Sequence, residues 1–217
     1  MTSPALNDLI AYTKAHAGAR ADAMVGFVIA YYENADPEEI ALRGPADLFA
    51  LANAHWRLLE TTTPASLPRV RVFNPSLEED GFSSDHSVLQ IVHEDMPFLV
   101  DSVTMAVNAS RRTAHWIVHP LLAVCRSADG RVSAARRVDP GVANAANESV
   151  ISLITVECDR IVAADERVAL ASELERVLGD VRATVQDWRP MLDRLRLVCE
   201  SSQNAPLSEA TRSEGIA

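Results

Sequence analysis

The densest polar chemistry in the sequence lies where an apolar run ends in an acidic turn. The turn reads Glu94-Asp95-Met96-Pro97-Phe98, and Asp101 and Ser102 follow shortly after it. Backbone N–H groups at the start of a helix favour anions, so a ligand carboxylate could bind at such a turn. The candidate effector-binding residues are Asp95, Met96, Pro97, Phe98, Asp101 and Ser102.

The same residues have a structural interpretation. Asp95 could cap the helix with its own carboxylate, which would occupy the N–H groups that a ligand needs. Asp101 and Ser102 could line a site, or they could simply complement the positive end of the helix dipole. Both interpretations stay open, and the self-capped helix start is the simpler of the two.

Other residue patterns that could carry chemistry predict no site. His115 and His119 are four residues apart on a predicted strand, which separates them by about 13 Å, too far for one metal ion. His93, Glu94 and Asp95 are adjacent and would point to alternate faces. The sequence therefore predicts no metal site.

Motifs for nucleophiles or phosphate-binding loops are also lacking from the sequence. It contains no GxSxG, GxxxxGK[ST] or GxGxxG pattern, and its eight glycines do not cluster. The acidic run Glu78-Glu79-Asp80 is most simply a solvated loop. The three cysteines are scattered without a CxxC pair, which indicates reduced, buried thiols: Cys125, Cys158 and Cys199. We predict no catalytic and no cofactor-binding residue.

Composition narrows the class of protein. The 217 residues are 48% hydrophobic, enough for a real core, and the net charge is −10 with a pI near 5.0. This acidity argues against nucleic-acid or anionic-membrane partners. The N-terminus lacks the features of a signal peptide, and no apolar stretch reaches 18 residues. We expect a cytoplasmic protein.

Hydrophobic periodicity divides the chain into three parts. Residues 1–64 form a helical lead-in, in which Asp36-Pro37 has the pattern of an N-cap followed by proline at the first helical position. Residues 68–199 form an α+β domain, and residues 200–217 lack periodicity and are expected to be disordered.

Within the α+β domain the patterns predict five strands and two helices. Asp129-Gly130 marks a hairpin turn, Pro120 requires an edge or a bulge, Asp165 has the pattern of an N-cap, and Pro190 is expected to interrupt the last helix. The predicted elements are strands 69–73 and 88–92, helix 98–111, strands 114–125, 131–138 and 150–158, and a helix from about 165 onward.

This order indicates an antiparallel sheet with helices packed on one face. The strand at 88–92 is apolar on both faces, so we expect it to be central and covered on both sides. Helices of the domain can cover one side. The other cover could be the helical lead-in or a second subunit, which makes self-association an expectation.

Several segments resemble a known family. Two of them are HSVLQIVHEDMPFLVDSVTMAV and TAHWIVHPLLAVCR, and four more, in the same order, are HWRLLE, RVRVFNP, ESVISLITVECDRI and VLGDVRATVQDWRPM. Together these segments resemble the N-terminal region of the large bacterial NAD-dependent glutamate dehydrogenases. The similarity covers roughly residues 25–200, and MPFLVDSV is its most specific part.

The resemblance implies an ACT-like, ferredoxin-like domain that precedes further ACT-like modules, a helical section and a distant catalytic domain. The family's reaction converts L-glutamate, NAD and water to 2-oxoglutarate, ammonium and NADH. None of its reacting residues would lie here, so NAD would bind elsewhere in the parent enzyme. The chain would be an N-terminal fragment or a short relative, a regulatory or assembly module. Its partners would be other copies, the parent's other domains and an amino-acid effector.

ACT domains commonly bind amino acids at the turn between the first strand and the first helix. A glycine usually follows the proline there, whereas this sequence has Phe98. The predicted strand order also differs from an ACT domain, because three strands lie between the two helices and none follows the second. Residues 69–73 would then supply an extra strand. The alternative function implied is a free-standing amino-acid sensor.

Overall fold

The N-terminal part of the chain is helical, as its periodicity predicts. The computed structural model describes residues 3–63, 66–138 and 148–204. Asp36 caps the third helix by accepting a hydrogen bond from the Glu38 N–H at 2.9 Å, and Pro37 follows it, so the predicted N-cap is confirmed. The helices are α1 Pro4–His16, α2 Ala21–Tyr31, α3 Pro37–Leu42 and α4 Pro45–Thr61, with a 3₁₀ turn at Gly18–Arg20.

Six strands form one antiparallel sheet. They are β1 Arg69–Phe73, β2 Ser87–Glu94, β3 Ala114–Val118, β4 Leu121–Arg126, β5 Val132–Arg137 and β6 Glu148–Cys158. The long strand β6 is central: it pairs with β2 along one side and with β3 and β4 along the other. β5 flanks β4, and β1 flanks β2 as the predicted extra strand. The α+β prediction is confirmed.

The strand predicted at 114–125 is divided into two, β3 and β4, because of Pro120. Proline has no N–H for the sheet ladder. Its carbonyl still accepts a hydrogen bond from the Leu153 N–H at 3.1 Å, so the chain stays beside β6 across the break. The predicted hairpin at Asp129-Gly130 is confirmed, and Gly130 adopts the left-handed φ of 83° that such a turn requires.

Two further helices complete the domain, α5 Leu99–Ala109 and α6 Ala164–Asn204. The prediction that Pro190 interrupts the last helix is wrong, since α6 continues through it. Proline removes only one hydrogen-bond donor, and the neighbouring Met, Leu and Arg residues favour helix. Asp165 lies in the first turn of α6 and not before the helix, as its N-cap pattern had indicated.

The sheet is covered on both faces by helices of the same chain. Val88 and Val92 of β2 belong to one buried cluster with side chains of the N-terminal helices, including Phe27 and Trp56. Leu89 and Ile91 alternate to the other face and are also fully buried. On this face α5 contacts β3, and its inward-facing residues are buried, as are three leucines early in α6: Leu99, Val103, Val107, Leu170, Leu174 and Leu178.

The helical lead-in therefore covers the second face of the sheet. The sequence had left open whether the lead-in or a second subunit covers it. Residues up to Leu178 belong to one compact unit, and the residues from Gly179 belong to another. Of the tail predicted to be disordered, residues 200–204 continue α6 and residues 205–217 lie outside the described part. Among the described residues, no helix is both long and apolar enough to span a membrane.

Candidate functional site

The acidic turn connects the central sheet to α5, as the sequence predicts. β2 ends at Glu94 and α5 begins at Leu99, so the candidate effector residues lie together at the connection and in the first helical turn. Asp95, Pro97, Phe98 and Asp101 are exposed, and Met96 and Ser102 are half-buried. The turn is a surface feature, open to solvent.

Asp95 does not cap α5. The N-cap position is Phe98, and it makes no side-chain capping hydrogen bond. The first intrahelical bond runs from the Ser102 N–H to the Phe98 carbonyl at 3.0 Å. The simpler interpretation drawn from the sequence, a self-capped helix start, is therefore wrong.

Phe98 adopts a left-handed backbone conformation, with φ 73° and ψ 5°. A side chain with a Cβ costs about 1–2 kcal/mol in this region, which glycine enters freely. The position is the one at which an ACT domain usually has glycine. The residue is 64% exposed, so burial of its side chain recovers little of that cost.

A serine–histidine contact beside the turn was not anticipated from the sequence. The His119 ring nitrogen Nε2 lies 2.7 Å from Ser152 Oγ. Burial lowers the pKa of His119, and the negative charge of Asp95 opposes part of that shift. These are the residue types of a hydrolase triad, but Ser152 is completely buried. A nucleophile must reach its substrate, so this group is a structural one.

The remaining histidines and cysteines do not assemble a metal centre. His115 contacts Asp159 at 2.7 Å, whereas His119 contacts Ser152. In the described ranges, no three His, Cys, Asp or Glu residues are placed to hold a metal ion. The prediction of buried thiols is confirmed for Cys158, where burial raises the pKa to about 11. It is wrong for Cys199, which is exposed.

A buried charge cluster lies elsewhere and centres on Glu157 of β6. This carboxylate is only 6% exposed and accepts a hydrogen bond from Arg43 at 3.0 Å. Arg43 also pairs with Glu39 at 2.5 Å, and its guanidinium lies 3.8 Å from the centre of the Trp116 ring. These two carboxylates favour the charged form of Arg43 and raise its pKa against the opposing effect of burial. Arg43 thereby fastens α3 to the sheet.

A cavity of about 370 Å³ opens beside this cluster. Its polar wall includes Glu39, Arg43, His86 and Glu157. Because Arg43 already pairs with both glutamates, the wall offers no unpaired cation to an anionic ligand. Sequence reasoning missed the cluster. The available signal was a single glutamate within the apolar run of β6, which requires a buried counter-charge.

A second buried network joins the N-terminal helices to the sheet. His55 Nε2 donates a hydrogen bond to the Ile91 carbonyl at 3.1 Å, so in the neutral ring Nδ1 accepts one from the Tyr31 hydroxyl at 2.9 Å. The Tyr31 oxygen lies 2.5 Å from the Thr155 hydroxyl. Burial lowers the pKa of His55 to about 3 and raises that of Tyr31. The network has no access to solvent and is structural.

Comparison with known proteins identifies the family. Residues 27–174 match the family model described as glutamate dehydrogenase, ACT1 domain. The chain belongs to this family. The match begins in α2 and ends in α6, so the ACT1 domain includes part of the helical lead-in together with the whole sheet. The resemblance noted in the sequence is confirmed.

Two curated relatives carry the same name. An NAD-specific glutamate dehydrogenase of Pseudomonas aeruginosa is 37% identical over 159 residues, which are 73% of this chain and 10% of the relative. That of Halomonas elongata is 34% identical over 193 residues, 88% of this chain and 12% of the relative. The chain that carries this ACT1 domain thus spans about a tenth of the length of these relatives.

Proposed function

We propose that this chain is a non-catalytic regulatory and assembly module of an NAD-dependent glutamate dehydrogenase. The observation that carries the proposal is the ACT1 match over residues 27–174, together with relatives of which this chain covers only 10% and 12%. The described residues support it, because the buried side chains of His55, Glu157 and Ser152 make structural contacts and the residues of the candidate turn form no nucleophile–base pair.

In this proposal the chemistry takes place elsewhere in the parent enzyme. The parent oxidises L-glutamate to 2-oxoglutarate, releasing ammonium, and NAD accepts the hydride in another domain. The module contributes no reacting group. Its proposed partners are the other domains of the parent and further copies of itself, and its proposed location is the cytoplasm.

The original ground for self-association, a central strand apolar on both faces, no longer applies. Both faces of that strand are covered by the chain's own helices. The two faces of that strand are therefore not the proposed assembly surface.

The non-catalytic part is tested by assaying the purified chain with glutamate and NAD and following NADH absorbance. We expect no turnover, with a full-length NAD-specific glutamate dehydrogenase as the positive control. NADH production that tracks the chain through purification would contradict the proposal.

A second candidate function is amino-acid sensing, and the uncapped start of α5 favours it. The N-cap residue of α5, Phe98, makes no side-chain capping hydrogen bond, so an effector carboxylate could accept hydrogen bonds from the first N–H groups of the helix. Asp95 and Asp101 would face the effector's amino group. Met96, Pro97, Phe98 and Ser102 would form the rest of the site.

Calorimetry against the common amino acids tests this second function. Binding of one amino acid should weaken in Asp95→Ala. It should not change in Asp85→Ala, which removes an exposed carboxylate from a different loop. Flat titrations for every amino acid would rule the sensor out.

A further inference from the structure

The distal part of α6 presents an apolar stripe. Beyond Leu178, large side chains recur at spacings of three and four residues and are largely exposed, with Trp188 at 57% and Leu195 at 58%. This is the a/d spacing of a two-helix seam. Val181, Trp188 and Leu195 occupy one seam position, and Thr184, Met191 and Val198 occupy the other.

The two flanks of this stripe differ. On one flank, the e positions are apolar or weakly polar: Val185, Leu192 and Cys199. On the other flank, the g positions include Asp187 and Arg194, two turns apart. Neither of these two residues forms an ion pair within the described part of the chain. One flank is therefore suited to apolar contact with a partner helix, and the other is suited to ion pairs with it.

This asymmetry selects the direction of a partner helix. In a parallel pair, g positions face e positions, so Asp187 and Arg194 would face apolar residues. In an antiparallel pair, g faces g and e faces e. If Trp188 packs against Met191 of a second copy, Asp187 of each copy lies beside Arg194 of the other copy. The two-fold symmetry of the pair then gives two such ion pairs.

We propose that α6 pairs antiparallel with α6 of a second copy of this chain, through the stripe from Val181 to Val198. The Trp188–Met191 contact lies at the centre and joins a ring to a sulfur, a favourable contact. Pro190 lies on the outer side of the helix, at the c position. Its missing hydrogen bond therefore falls away from the seam.

The inference rests on the assembly role proposed above and deepens it, but its test involves no glutamate chemistry. A monomeric chain would overturn this pairing but would not bear on the non-catalytic role, which the NADH assay tests separately. Conversely, NADH turnover by the chain would contradict the module without affecting the pairing.

Sedimentation equilibrium of the whole 217-residue chain tests the pairing. We expect a dimer, and we expect Leu195→Glu to raise its dissociation constant at least tenfold. The matched control is Leu197→Glu: Leu197 is equally apolar and 62% exposed, but it lies on the opposite side of α6. The control should leave the constant unchanged, and circular dichroism should show both variants folded.

Reversing the charges of Asp187 and Arg194 tests whether the two α6 helices pair antiparallel. Asp187→Arg and Arg194→Asp should each weaken the dimer by placing like charges together, and the double variant should restore it. Cys199 lies about 28 Å from its counterpart along the axis of an antiparallel pair, so mild oxidation should not crosslink the dimer. A monomeric chain, equal effects of the two leucine variants, failure of the double reversal or a Cys199 crosslink would each overturn the proposal.

Discussion

At the scale of single residues, Phe98 and His55 are held in unusual states. Phe98 occupies a left-handed conformation that suits glycine. His55 is held neutral in a fully buried network. Both states have costs that the surrounding structure offsets, and both give measurable consequences.

Phe98→Gly should raise the free energy of unfolding, or leave it unchanged. Glycine removes about 1–2 kcal/mol of backbone strain, while its greater freedom in the unfolded chain costs about 0.5–1 kcal/mol. Urea unfolding measures the difference. The control is Phe98→Ala, which removes the ring but keeps the Cβ, so its free energy of unfolding should not rise. A Phe98→Gly variant less stable than Phe98→Ala would show that the conformation is not strained.

His55 should make the protein acid-sensitive. Its pKa is about 3 in the folded chain and about 6.5 when unfolded, so between these values the unfolded chain binds a proton that the folded chain does not. Acidification therefore favours unfolding, and stability present above pH 6.5 is lost as the pH falls toward 3.

The measurement compares urea unfolding at pH 7 and pH 4.5 for the native chain and His55→Gln. Glutamine can still donate to the Ile91 carbonyl but does not titrate. We expect the native chain to lose about 2 kcal/mol more than the variant over this interval. Equal losses would show that His55 is not the group responsible.

At the scale of elements, polar contacts attach the N-terminal helices to the sheet in addition to apolar packing, and two of them are centred on buried ionisable side chains. One is the His55 network, and the other is Arg43 between Glu39 and Glu157. A buried charge without its partner is far more costly than an intact pair. The Arg43 contact can therefore be tested by removing Arg43 and then replacing the Glu157 carboxylate with a neutral amide.

Arg43→Met should destabilise the chain by about 2–3 kcal/mol, because it leaves the Glu157 carboxylate buried without its guanidinium. Thermal or urea unfolding provides the measurement. Adding Glu157→Gln to Arg43→Met should recover much of the loss, since the amide carries no charge. If the double variant is no more stable than Arg43→Met alone, the lost packing of Arg43 on Trp116 is the main effect.

Elements with strong periodicity could be predicted from the sequence, and long-range polar pairs could not. β1 was predicted residue for residue, since 69–73 alternates cleanly. The division at Pro120 and the continuation through Pro190 depended on how the neighbouring structure accommodates a missing N–H. Arg43 and Glu157 are 114 residues apart, so only folding brings them together. The turn was located correctly, but its capping was not.

At the scale of the whole molecule, the chain is an ACT1 domain of the glutamate dehydrogenase family with a long terminal helix. The sheet is covered by helices on both faces, and the buried side chains of His55, Tyr31 and Glu157 make structural contacts. The turn at 94–102 and the distal stripe of α6 both lie at the surface, and the proposed sensing and pairing use these two surfaces. A module that regulates or assembles a larger enzyme needs surfaces of this kind and no active site.

The central claim is tested most directly in a full-length relative. In the NAD-specific glutamate dehydrogenase of Pseudomonas aeruginosa, the region matching residues 27–174 is either deleted or replaced by this chain's residues, and NADH production and subunit count are measured together. We predict that deletion alters the subunit count or the response to amino acids, and that replacement restores both. Unchanged activity, regulation and assembly after deletion would contradict the account.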